Sequence, residues 1–246
     1  MSQTQSRQPL ESVALVGTYL PRRCGIAVFG TDLCQAVGAV LGPAGEAYAV
    51  AVNDSPAGYR YPPAVRFEVA ANLPQDYRHA AEFLNMNEVG AVIVQHDFGI
   101  YGGPAGSNIL RMLRELRMPV VATLHSVPVR PSADQRAAIS QMALLVDRFV
   151  VTGWRAQQVL LETYKVGWGR ICHIPHGVPD MPLVDRDLHR KDLGLDGRKA
   201  ILSFGLLSPN KGVEYMIRAM PAVVRRHPEA VYVVLGVTHP RIKAEC

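Results

Sequence analysis

Residues 91–103 read AVIVQHDFGIYGG. Four consecutive apolar residues open the stretch, without alternation, which is the pattern of a strand buried on both faces of a parallel sheet. A polar pair, His96-Asp97, follows at once, and then glycines. Strand candidates recur along the chain, several of them likewise apolar on consecutive residues: VALVG (13–17), AYAVAV (47–52), VRFEV (65–69), VVATL (120–124), RFVVT (148–152), AILSF (200–204) and VYVVL (231–235). Between these runs the apolar residues change to helical spacing. Strand and helix in alternation predict an α/β fold, a Rossmann-like, doubly wound parallel sheet.

The helices carry their own signals. Ser132 and Gln135 stand three apart after Pro131, a capping box that opens a helix to about Val146. Ile109, Leu110, Leu113 and Leu116 form one stripe, with Arg111, Arg114 and Arg117 outside it. Val213, Met216, Ile217, Met220, Val223 and Val224 form another, closed by Arg225, Arg226, His227 and Pro228. From 175 to 197 there are scattered prolines and charges and no strand pattern, save a short helical piece near Leu188. The expected organisation is a first domain over 1–178, a linker over 179–198, and a partial second Rossmann-like domain over 199–246.

The chain has 246 residues, 48% of them hydrophobic, enough to bury a core and to exclude wholesale disorder. The longest membrane candidate, residues 36–52, is interrupted by Pro43, three glycines and Glu46. The first dozen residues have no apolar core of a secretory signal. Cys24, Cys34, Cys172 and Cys246 form no CxxC pair and no zinc spacing. A cytoplasmic protein with reduced thiols and no metal is expected. The formal charge of +5 suits a phosphorylated ligand or an anionic surface. Basic residues are not interleaved with aromatics, so no nucleic-acid partner is expected. Arg111, Arg114 and Arg117 read as a solvated face; peripheral contact with an anionic membrane, at its inner face, is the alternative.

Ligands of open parallel sheets bind at the carboxyl ends of the strands. Behind the first strand come Arg22, Arg23 and Gly25 at the start of a helix. Cations there oppose the helix dipole, and an anion held by the backbone N–H groups would reverse the sign. Two solvated arginines are the plain alternative. Gly25 would let an anion approach the backbone closely. The loop lacks GxGxxG, so a dehydrogenase fingerprint is absent. His96 and Asp97 follow one strand, ahead of what reads as a flexible loop at 102–104, and His125 and Ser126 follow the next. Two histidines on one rim, one beside a carboxylate, point to a polar ligand site. His173 reads as structural and His176 as a turn residue. After the seventh run comes GLLSPNKG (205–212), read as a loop that sets Lys211 at another helix start and implies phosphate again. Paired with Arg22 and Arg23, it suggests one anion bridged by two domains.

The ordered segments PRRCGIAVFGTDL, VIVQHDFGIYGG, VVATLHSV, DRFVVT, ICHIPHGV and ILSFGLLSPNKGVEYMIRAMP resemble glycosyltransferase family 4, retaining enzymes of the GT-B fold. The resemblance implies an acceptor-side first domain and a second domain that binds a nucleotide-sugar, without a metal or other cofactor. It implies that Gly25 approaches the donor diphosphate, that His125 lies near the transferred sugar as the catalytic residue, and that Lys211 contacts the diphosphate. Arg22, Arg23 and Gly205 join the donor side, and His96 and Asp97 the acceptor side. The acceptor would be a sugar, lipid or glycan. Two departures stand out. Leu206 replaces the arginine of the family's Gly-Arg-Leu, and the chain ends at Cys246, short of the family's donor-binding glutamate pair. The expectation is a member truncated in its donor domain and inactive as it stands. The alternatives are a sugar-nucleotide epimerase of the same fold and a non-catalytic acceptor-binding module, subunit or remnant.

Overall fold

The computed structural model describes residues 10–178, 181–238 and 242. Pro179, the first residue of the expected linker, and Cys246 lie outside them. The chain forms two compact units, residues 1–177 and 178–246.

The first unit is built on seven parallel strands: β1 (Ser12–Gly17), β2 (Glu46–Asn53), β3 (Val65–Ala70), β4 (Ala91–His96), β5 (Val120–Leu124), β6 (Arg148–Val151) and β7 (Ile171–His173). Their order across the sheet is β3-β2-β1-β4-β5-β6-β7. The chain moves outward from β1 to β3, then returns to β4 on the other side of β1. The order therefore reverses between β1 and β4, and the crevice beyond their carboxyl ends is the natural ligand position. Registers Val16↔Val94, Val94↔Ala122 and Leu124↔Val151 align the strands closely. Five of six residues in β1 and six of eight in β2 are buried, because helices cover both faces.

Those helices are α1 (Gly25–Leu41), α2 (Pro74–Met86), α3 (Ile109–Leu113), α4 (Ala133–Leu145) and α5 (Trp154–Glu162). The capping box of α4 forms as its sequence requires: Gln135 N–H donates to Ser132 Oγ at 3.2 Å and Ser132 N–H donates to Gln135 Oε1 at 2.9 Å. The stripe from Ile109 to Leu116 outruns its helix. α3 ends at Leu113, so Arg114 and Arg117 lie beyond it, and Arg114 binds Gln141 Oε1 at 2.7 Å. Strand β7 is only three residues long, too short to register as an apolar run, and is recruited by the edge of β6.

The second unit contains α6 (Arg186–Asp192), the parallel pair β8 (Lys199–Leu207) and β9 (Ala230–Thr238), and α7 (Val213–Arg226). Strand β8 runs three residues past Phe204, so Gly205 stands inside a strand rather than in a loop. It sits at φ +121° and pairs with Gly236, where a Cβ would come within 1.9 Å of the Gly205 carbonyl oxygen. Two facing glycines let the ladder continue where sequence punctuation signals a break. Leu202, Phe204, Leu235 and Val237 are exposed, and Ala230 is the one buried apolar residue among the described residues of this unit. Among the described residues no helix is long and apolar enough to cross a membrane.

Candidate active site

The loop from β1 to α1 leaves the centre of the sheet. Cys24 caps α1, its Sγ accepting from Ala27 N–H at 3.3 Å and lying 3.4 Å from Thr18 Oγ1. The first turn of α1 holds no acidic residue, so its N–H groups present uncompensated positive charge. Gly25 is exposed, and a Cβ there would meet nothing within 4 Å. Its backbone is not in the left-handed region, so nothing in the protein itself demands glycine; the open space in front of it fits an approaching ligand. Arg23 is exposed beside it.

Arg22 is placed differently from its expected role as a free cation. Its guanidinium donates to the Val52 carbonyl at 3.2 Å and pairs with Asp54 at 3.1 Å, and its side chain is only 13% exposed. Asp54 in turn accepts from the Tyr59 hydroxyl at 2.8 Å. The carboxyl end of β2 thus already compensates this arginine, which pins the β1–α1 loop to the sheet.

Strands β4 and β5 bring the histidines together, with His125 N–H donating to the His96 carbonyl at 2.9 Å. His125 Nε2 lies 2.9 Å from Oε1 of the buried Gln95. An amide oxygen only accepts, so Nε2 carries the proton and Nδ1 of the neutral ring is left as an acceptor. Burial pushes the His125 pKa down, and His176 adds to the effect, while Asp97 opposes it. Phe29 of α1 stands edge-on to His125, with ring centroids 5.1 Å apart, and also against His176 at 4.9 Å.

His96 lies beneath the rim rather than on it. It is wholly buried, stacked on Tyr101 at 5.9 Å and edge-on to Phe98 at 5.3 Å, with no hydrogen-bond partner at either ring nitrogen. Burial lowers its pKa to about 4, so it is neutral at pH 7. Asp97 reaches the surface in its place. Its Oδ2 accepts from Ser126 Oγ at 2.5 Å and its Oδ1 from Gly99 N–H at 3.1 Å, tying the β4 and β5 ends together.

The loop that follows is locked rather than flexible. At Gly102, φ is +61° and a Cβ would lie 2.2 Å from the Ala71 carbonyl oxygen. The Tyr77 hydroxyl bridges the carbonyls of Tyr101 and Ala71 at 2.6 and 3.0 Å, and Asn108 donates to Ala71 at 3.1 Å. The glycine permits close packing of this loop against the end of β3.

In the second unit, Lys211 is exposed at the end of a 3-10 turn, Pro209–Lys211, and Gly212, at φ +64°, caps α7. Sequence reading overlooked Gln95 and Phe29 and set His176 aside. The β4–β5 pairing sets Gln95 beside His125, and Phe29 of α1 stands against both His125 and His176.

The family model described as Glycosyltransferase Family 4 matches residues 34–180. Over 51 residues the chain is 41% identical to the protein named "Putative glycosyltransferase YtcC" of Bacillus subtilis (strain 168), 21% of this chain and 12% of that protein. Anabaena Alr3699/HepE, solved in complex with UDP-glucose, superimposes with a TM-score of 0.65 at 13% identity, over 95% of this chain and 63% of that one. A glycosyltransferase from Rickettsia africae ESF-5 gives a TM-score of 0.60 at 16% identity, over 96% and 63%. Likeness at such identities is likeness of fold, and the chain spans less than two thirds of the length of either structure. The family match, by contrast, runs over more than half of this chain, and the protein belongs to Glycosyltransferase Family 4.

Proposed function

We propose that the protein takes part in glycosyl transfer from a nucleotide-sugar to an acceptor hydroxyl of a sugar, lipid or glycan. The observation that carries this reading is the convergence of the α1 N-terminus, Asp97 and His125 at the ends of three adjacent strands, β1, β4 and β5. That a neighbour in fold was solved with UDP-glucose supports a nucleotide-sugar as the donor class.

In the reaction the bond between the sugar C1 and the diphosphate oxygen breaks, and its electron pair leaves with the nucleoside diphosphate. The acceptor oxygen bonds to C1 and its proton passes to the departing diphosphate. Negative charge grows on the phosphates, where fixed N–H groups and cations stabilise it. In this reading Gly25 and the first turn of α1 meet the diphosphate, with Arg23; within the second unit Lys211 and Gly205 are the candidate donor-side residues. Arg22 positions the loop. His125 accepts a hydrogen bond from a sugar hydroxyl at Nδ1, held in that tautomer by Gln95. Asp97 and Ser126 lie on the acceptor side, with His96 as their buried support. Attack from the face of departure gives retention without a carboxylate nucleophile, and the reading calls for no metal.

Binding and transfer assays with UDP-, GDP- and ADP-sugars test the proposal. At least one donor should bind, and Gly25→Val should abolish that binding by filling the open space. Equal donor affinity in Gly25→Val and the parent would refute the placement of the diphosphate.

A further inference from the structure

Two tryptophans are about equally exposed, Trp154 at 66% and Trp168 at 65%, and they stand at opposite ends of the sheet. Trp168 precedes β7; the neighbouring Gly169 carbonyl accepts from Arg148 at the start of β6, at 2.7 Å. Trp154 opens α5 just after the carboxyl end of β6. Its ring rests on the imidazole of His173, with centroids 4.0 Å apart and planes at 34°. The register runs His96↔Leu124, Leu124↔Val151 and Val151↔His173, so Trp154 and His173 share the rim on which His125 stands. One face of the indole is therefore held while the side chain remains open to solvent, on the side of the sheet where the candidate site lies.

We propose that Trp154, backed by His173, is a stacking platform for a sugar ring of the acceptor, one ring removed from the hydroxyl that reacts near His125. The choice of a saccharide rests on the transferase reading. The chemistry fits the platform: one face of a pyranose presents C–H groups of partial positive charge, and the face of an indole is negative. Strand β7 lies two strands from β5, about 10 Å across the rim, a distance a disaccharide bridges. Phe29 stands against both His125 and His176, so the rim near His125 is aromatic as well. Because the indole is already supported on His173, little side-chain freedom is lost when a sugar packs on it.

The two tryptophans make the test direct. In Trp168→Phe the remaining fluorescence comes from Trp154 alone, and in Trp154→Phe from Trp168 alone. Both chains are titrated with methyl glucopyranosides, maltose, cellobiose and a galactoside panel. A saturable change is expected in Trp168→Phe with at least one saccharide and none in Trp154→Phe. Affinity measured by calorimetry should fall about two- to tenfold in Trp154→Ala. Absence of any response from Trp154 across the panel, or an equal response from Trp168, overturns the proposal. Donor turnover is followed in the same samples with UDP-glucose. Turnover with a silent Trp154 sinks the platform alone; a Trp154 response in a chain that neither binds nor uses any nucleotide-sugar keeps the platform and sinks the transferase reading.

Discussion

His125 donates its Nε2 proton to Gln95 Oε1 across 2.9 Å, from the end of β5 to the end of β4. Gln95 is buried, so this bond sets the tautomer from inside the protein and leaves Nδ1 as an acceptor. Burial lowers the pKa of the ring and so favours its neutral form. Gln95→Glu keeps the shape but puts a carboxylate against the imidazole, which favours the cation. The His125 pKa, followed by NMR of the ring protons, should rise above that of the parent. An unchanged midpoint would mean that Gln95 does not govern the ring.

His96 makes the first unit sensitive to acid. Its folded pKa, about 4, lies below the 6.5 of a free histidine because burial excludes the charged form. The unfolded chain binds the extra proton first, so stability is full above pH 6.5 and is lost as pH falls toward 4. The loss from this group is on the order of 3 kcal/mol once both pKa values are passed. His96→Phe retains an aromatic ring against Tyr101 and removes the titration. Thermal melts between pH 7 and pH 4 should fall less steeply in His96→Phe than in the parent; parallel curves would show that another group controls the acid limb.

Most of the sheet was legible because a strand buried on both faces needs consecutive apolar residues, and Val13–Val16, Val50–Val52 and Val92–Val94 are such runs. What was not legible depends on contacts distant in sequence. Phe29 reads as one more apolar residue of α1 until packing sets it between His125 and His176. Arg22 reads as a free cation until the end of β2 supplies Asp54 and the Val52 carbonyl, 32 and 30 residues away. Gly102 reads as flexibility because glycine is ambiguous alone, and only the position of the Ala71 carbonyl reveals a steric demand.

Arg22 and Arg23 are adjacent in sequence and divide their roles. Arg22 is largely buried and bonded twice, so Arg22→Ala leaves Asp54 and the Val52 carbonyl unmatched and should cost about 1–2 kcal/mol of stability. Arg23 is exposed, and Arg23→Ala should leave the melting temperature within error while weakening nucleotide-sugar binding. Calorimetric melts and donor titrations of the two variants separate the roles. Equal melting temperatures for both would contradict the structural assignment of Arg22.

Gly25 and Gly102 offer the sharpest contrast, since one glycine faces open space and the other faces backbone. At Gly102 an added Cβ would lie 2.2 Å from the Ala71 carbonyl oxygen, on a backbone at φ +61°. Neither atom can give way cheaply, because Ala71 is held by Tyr77 and Asn108. Gly102→Ala should therefore lose about 3 kcal/mol or more, or fail to fold. At Gly25 the same methyl meets nothing within 4 Å and the backbone is one that any residue adopts. Alanine also has the better helix propensity at the start of α1, so Gly25→Ala should be neutral or stabilising by a few tenths of a kcal/mol. Its cost should appear only when a diphosphate must approach the α1 N–H groups, as weaker donor binding at an unchanged or higher melting temperature. Denaturant melts of both variants, with nucleotide-sugar titrations of Gly25→Ala, read the two effects separately. A destabilised Gly25→Ala would show that the glycine serves the fold, and the open space before α1 would lose its claim as the diphosphate site.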